Sequence, residues 1–126
     1  MNRLGFRAIF KGDIELGHKI IFRPIEHKHE LFFVAEDDAE IRYPFALVFQ
    51  DEAWLIHRET GLIDTNGDMI FENDIIEATI NSDIYQAVVE YHSQLAGFGI
   101  ALDSKEIISI ANLQNIKIIR PHVFEI

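Results

Sequence analysis

Two groups of side chains in this sequence have the types and spacing to do chemistry. His27-Lys28-His29 sets two imidazoles at i and i+2, which share a face if the segment is a strand. With Glu26 or Glu30 beside them they could hold zinc through neutral ring nitrogens. Asp64, Asp68, Glu72 and Asp74 form the second group, an oxygen-rich run of the sort that binds hard cations. Each group has a plainer alternative. The histidine pair follows Pro24 in a polar connection with no third ligand at a supporting spacing, which fits a solvated loop. The acidic run lacks the alternating ligand positions and terminal bidentate glutamate of a calcium loop. Short carboxylates such as Asp64 and Asp74 suit the capping of backbone N–H groups in turns. His18, His57, His92 and His122 stand singly and read as partly buried strand residues. Ser82, Ser93, Ser104 and Ser109 lie in turns or strands without a G-x-S-x-G elbow. The chain has no cysteine, which excludes a thiol nucleophile, a disulfide and a cysteine zinc site. The spacing therefore assigns no catalytic residue, no metal and no cofactor, and the chain reads as a non-enzyme.

The elements that position these residues centre on the stretch from Arg58 to Ile80. Asp64-Thr65-Asn66-Gly67-Asp68 packs turn formers between Leu62-Ile63 and Met69-Ile70-Phe71. Asn66-Gly67 can fill a tight hairpin turn because both residues tolerate φ > 0. Glu72-Asn73-Asp74 gives a second turn before the β-type run Ile75-Ile76-Glu77-Ala78-Thr79-Ile80. Two turns around a short apolar strand predict a rigid corner.

The residues Thr60, Gly61, Leu62, Asp64, Asn66, Gly67, Ile70, Phe71, Glu72, Asp74 and Ile75 resemble the motif T-G-L-x-D-x-N-G-x-x-I-(Y/F)-E-G-D-I of the YopX family. Val88-Val89-Glu90-Tyr91 and Gly97-Phe98-Gly99-Ile100 resemble the following pair of strands, and Phe6-Arg7-Ala8 the family's start. The likeness covers residues 58–102 best. Glu59 stands where an aromatic usually precedes T-G-L, which bears on local packing. Asn73 replaces the glycine of E-G-D, and asparagine can take the left-handed conformation that glycine takes there. The resemblance implies a phage or prophage protein, and it brings no catalytic residues with it.

Elsewhere the pattern is of short strands. Phe6–Phe10 reads as a strand followed by a turn at Lys11-Gly12-Asp13. A second strand runs from Ile14 through Arg23 and stops at Pro24. Leu31–Val34 and Ile41–Tyr43 follow. Phe45, Val48, Phe49, Glu52, Leu55 and Ile56 lie near helical spacing behind Pro44. Gln50-Asp51-Glu52 also divides residues 45–57 as a hairpin would, and the aromatic and β-branched content favours the hairpin. Strands at 74–80, 84–92, 97–102, 106–110 and 116–120, with one 3₁₀ turn within 111–115, have the order of an SH3-like five-stranded barrel. The fold expected is thus mainly β: an N-terminal β subdomain over 1–58 and the barrel over 59–126.

Net charge is −10, and it is uneven. Residues 1–58 hold eight Lys and Arg against ten Asp and Glu, whereas residues 59–126 hold three against eleven. Such a surface repels phosphates, so direct nucleic-acid binding is not expected even with Tyr85, Tyr91 and Phe98 as stacking candidates. Core packing suits Phe98 and Tyr91 better. Neither a span-length apolar run nor a signal-peptide core near Met1-Asn2-Arg3-Leu4-Gly5 is present, which fits a cytoplasmic protein away from membranes. Residues 1–58 carry seven of the ten phenylalanines and the single tryptophan, Trp54. That apolar surplus predicts a homo-oligomer joined through this half, or another protein partner there. Three functions follow: a binding or assembly module, an acidic inhibitor or nucleic-acid mimic aimed at a basic host protein, and a small metal hydrolase at one of the two clusters.

Overall fold

A computed structural model describes residues 5–121. Arg3, His122 and the segment Met1–Leu4 lie outside the described residues. The chain is mainly β and divides into two compact units, Met1–Arg58 and Glu59–Ile126.

In the first unit the elements run β1 (Phe6–Phe10), α1 (Lys11–Glu15), β2 (Phe22–His27), β3 (Glu30–Ala35), β4 (Arg42–Pro44) and α2 (Phe45–Gln50). They are followed by β5 (Trp54–Ile63), which starts in this unit and ends in the second. The strands lie in the order β4-β3-β2-β1-β5, all antiparallel. Arg7, Ala8 and Ile9 are buried in succession, so both faces of β1 are covered. Ala8, Phe22, Phe33, Ala35, Val48 and Trp54 form the core, with Phe10, Ile20, Phe45 and Ile56 packed on it.

Two expectations fail in this unit. The strand drawn from Ile14 to Arg23 does not exist. Lys11–Glu15 is a helical turn instead, and β2 runs straight through Pro24. Lys28 (φ 50) and His29 (φ 67) form the two-residue loop between β2 and β3, a type I′ geometry. Counting back from that loop, Pro24 falls where its nitrogen points away from β3, and β1 pairs with β2 only at Phe22. The missing N–H therefore interrupts no ladder, the usual condition for proline in a strand.

The hairpin expected at 45–57 is also absent. Phe45–Gln50 is helical, and Trp54 onward pairs with β1 through Phe10↔Trp54 to Phe6↔Arg58. Pro44 precedes the helix with φ −61 and ψ 145, and Val48 is its buried residue. Asp51 Oδ1 accepts from Ala53 N at 2.9 Å and turns the chain out of the helix. The aromatic residues that favoured a strand serve helix packing: the Phe45 ring stacks on Phe33 at 4.3 Å. Tertiary contact overrides a weak propensity here.

The second unit contains the end of β5, then β6 (Met69–Phe71), β7 (Asp74–Ile80), β8 (Asp83–Val88), β9 (Glu90–His92), β10 (Gly97–Ala101), β11 (Ile107–Ser109), a 3₁₀ turn (Ile110–Asn112) and β12 (Gln114–Pro121). Two three-stranded antiparallel sheets result, β12-β7-β8 and β9-β10-β11. The strand expected over 84–92 is broken at Val89 into β8 and β9, which belong to different sheets. The described pairings do not close into a barrel. Ile70, Ile76, Ala78, Val89, Ile100, Ile110, Leu113 and Ile116 form the core. Ser109 Oγ accepts from Ala111 N and caps the 3₁₀ turn. At Gly99 a side chain would meet the Ile108 carbonyl oxygen at 2.5 Å, so β10 and β11 approach too closely there for any Cβ.

Candidate functional site

The corner over residues 60–75 is where the quoted motif lies, and the side chains of Thr60, Asp64 and Asp74 in it each have a backbone partner. Pairing of β5 with β6 jumps from Glu59↔Phe71 to Ile63↔Met69, so β5 carries extra residues in a bulge. Gly61 takes the left-handed conformation this needs (φ 85). The Thr60 hydroxyl donates to the Ile70 carbonyl at 2.7 Å and accepts from Leu62 N at 3.2 Å. A side chain thus bridges the gap that the bulge opens in the ladder. Leu62 packs on the core beside Ile70.

The loop that follows is built on Asp64. Its N–H donates to the Asp68 carbonyl at 2.8 Å, and its own carbonyl accepts from Gly67 N at 3.1 Å. Only Gly67 has positive φ (83); Asn66 does not, so the loop has three residues rather than the two-residue Asn66-Gly67 turn expected. Asp64 Oδ1 accepts from Asn66 N and Asp68 N, each at 2.9 Å. Asp64 Oδ2 accepts from Ile118 N at 3.1 Å, and Thr65 N donates to the Ile116 carbonyl at 2.8 Å. Asp64 is 6 % exposed. Burial pushes the Asp64 carboxyl up, but N–H donors at Asp68, Ile118, Asn66 and Gly67 together hold it below its ordinary value of 3.8.

The second turn has the same logic. Asn73 sits at φ 68, in the third position of the Phe71–Asp74 turn, where glycine or asparagine is required. Asp74, 1 % exposed, accepts from Phe71 N through Oδ2 at 2.8 Å. Asn73 N donates to the Val89 carbonyl at 2.7 Å and Val89 N to the Asp74 carbonyl at 2.9 Å, tying the turn to the β8–β9 break. Ile70 and Phe71 are buried, Glu72 and Ile75 half-buried, and Ile75 pairs with Val88. The carboxylates of Asp64 and Asp74 are aimed at main-chain donors, so what the motif does here is fix a backbone.

The histidines are placed apart. His27 faces Glu30 across the hairpin, and His29 is at its tip, both exposed. His18 is exposed and follows α1 rather than lying in a strand. His92 ends β9 with its Nε2 buried and unpartnered, and His57 is buried in β5. Among the described residues no three His, Asp or Glu side chains gather as a metal cage. Tyr91, expected in the core, is 47 % exposed, with its ring edge-on to Phe98 at 5.7 Å.

Two features were not visible in the sequence. Arg7 Nε donates to His57 Nδ1 at 3.0 Å inside the first unit, which requires a ring unprotonated at that nitrogen. The pair is brought together by the Arg7↔His57 register of β1 and β5, fifty residues apart. The bond from Ile118 to Asp64 spans 54 positions, and no local spacing signals it.

Neither a curated protein nor a solved structure matches this chain. The family described as YopX protein matches residues 18–119, a span that takes in the whole of the corner, and the chain belongs to that family.

Proposed function

We propose that this chain is a non-enzymatic binding or assembly module of phage or prophage origin, working in the host cytoplasm. The observation that carries this reading is that both buried carboxylates of the family motif, Asp64 and Asp74, accept from backbone N–H groups. A motif used in this way specifies a scaffold, and function then falls to surfaces. The first unit offers the apolar one. On α2, Leu47 is 52 % and Phe49 49 % exposed, and Phe49 lies within a ring cluster of Phe6, Phe33 and Phe45. Surface of this kind marks an interaction face, and association of copies through it gives the homo-oligomer. Light scattering at micromolar concentration tests it: the mass should stand well above 14.6 kDa and fall to that of one chain in a Leu47→Lys, Phe49→Lys double variant. A wild-type monomer would remove the assembly reading.

For the second unit the finer fold is an SH3-like barrel. Its support is the order β7, β8–β9, β10, β11, 3₁₀ turn, β12, with β12 returning to β7. The acidity of residues 59–126 supports a second reading, an inhibitor or nucleic-acid mimic acting on a basic host protein. Direct binding to DNA should be negligible at physiological salt. No helix among the described residues is long and apolar enough to cross a membrane.

A further inference from the structure

Within the first unit a cavity of about 190 Å³ is walled by the rings of Phe10, Phe22, Tyr43 and Trp54, with two isoleucines and the carboxylate-bearing Asp13. Trp54 is the hub. Its ring lies 5.1 Å from Phe10, 5.0 Å from Phe22 and 5.2 Å from Tyr43, all tilted or edge-on. Four elements supply these walls, β1, β2, β4 and β5, and Asp13 comes from α1. Aromatic faces carry negative charge density and attract cations. Asp13 adds a formal negative charge beside them. Its carboxylate has no hydrogen bond or ion pair among the described residues, although its backbone carbonyl accepts from His18 N. The neighbouring cation does not fill the site, because the Arg42 guanidinium lies over Phe32 at 5.4 Å. Liquid water occupies roughly 30 Å³ per molecule, so the cavity holds the end of one side chain and not a folded segment.

We propose that this aromatic-walled cavity binds the ammonium end of a lysine side chain presented by a basic protein partner. The rings supply the cation–π walls, and Asp13 accepts a hydrogen bond from the ammonium. Charge argues for this occupant over an apolar one: a purely apolar side chain would leave the Asp13 carboxylate beside it without gain. Residues 1–58, with ten Asp and Glu against eight Lys and Arg, set no positive field against a basic partner. The proposal rests on the binding-module reading and gives it a partner chemistry.

Trp54 is the chain's single tryptophan, so its emission reports on the cavity wall directly. Titration of the intact protein with N-acetyl-lysine N-methylamide should give a saturable emission change. N-acetyl-norleucine N-methylamide, which keeps the stem and lacks the ammonium, should give none over the same range. Asp13→Asn should weaken the lysine response by about tenfold, the scale of one charge-assisted hydrogen bond. Tyr43→Ala, at a partly exposed wall, should weaken it as well, with unchanged far-ultraviolet dichroism showing that the fold is kept. Equal responses to both probes would make the cavity a plain apolar hollow and overturn the proposal. So would a lysine response indifferent to Asp13→Asn, which means general attraction to an acidic surface, or no response at all. A tighter response to choline than to the lysine probe would overturn the assignment to a lysine side chain. None of these failures touches the light-scattering result, so the cavity and the assembly reading stand or fall separately.

Discussion

The corner over residues 60–75 and the cavity around Trp54 both place a carboxylate beside buried apolar residues, and they treat it in opposite ways. Asp64 accepts three backbone N–H groups, two from its own loop and one from β12. Asp13 lines a cavity with four aromatic residues, and its carboxylate accepts from none of the described residues. The first arrangement consumes the charge in holding backbone together. The second leaves it to an outside donor. The number of protein donors that already converge on a buried or half-buried acid is thus a sharper guide to its role than its spacing from other acids.

The comparison can be broken first at Asp64. Asp64→Ala should destabilise the fold by about 3 kcal/mol, since three backbone N–H groups lose a charged acceptor. A shift in the urea midpoint worth less than about 0.5 kcal/mol would show that the carboxylate is no fastener. The acid limb of stability sharpens the same point. Because the folded carboxyl titrates below its ordinary value of 3.8, its contribution is present above that pH and is lost as pH falls through the lower folded value. Asp64→Asn should flatten that part of the stability profile, and an unchanged acid limb would assign it to other groups. Next comes Gly67. Nothing lies within 4 Å of a Cβ built there, so Gly67→Val tests backbone strain alone at φ 83. A cost of about 1–2 kcal/mol is expected in thermal unfolding; a Tm equal to wild type would remove the strained loop. The smallest effect lies in the first unit, outside the cavity. Leu47→Lys on α2 should change stability by less than about 0.5 kcal/mol, as exposed substitutions do, while altering association. A loss of several kcal/mol there would mean that Leu47 is part of a core.

What the sequence made legible was local. β7 falls on Asp74–Ile80 as the Glu72-Asn73 turn and the β-branched run predict, and the polar link before the last strand does hold a 3₁₀ turn. Left-handed backbone at Gly67 and Asn73 follows from residue type alone. Legibility ended wherever a partner came from far away. Pro24 looked like a stop because its strand neighbours were unknown, and it is harmless where β1 does not pair. Phe45–Phe49 looked like a strand by composition, and the Phe33 ring beneath it makes it a helix. Tyr91 reads as a core residue by type, yet it is 47 % exposed at the end of the sheet, covered on one edge by the Phe98 ring opposite it. The break at Val89, which parts β8 from β9 and leaves no closed barrel among the described pairings, follows from backbone bonds to Asn73 and Asp74 that no periodicity encodes. In the candidate site the motif was visible in full. The donors it serves were not, because one of them lies on β12.

That distant donor has a kinetic consequence. The loop around Asp64 can form its own turn as soon as Asp68 is in place, but the bond to Ile118 must wait until β12 has docked on β7. Closing so long a stretch of chain is slow relative to local turn formation. The latch should therefore be absent from the transition state for folding and present only in the finished unit. If so, Asp64→Asn will accelerate unfolding while leaving the refolding rate nearly unchanged, making β12 the bolt that sets how long the second unit stays folded rather than how quickly it folds.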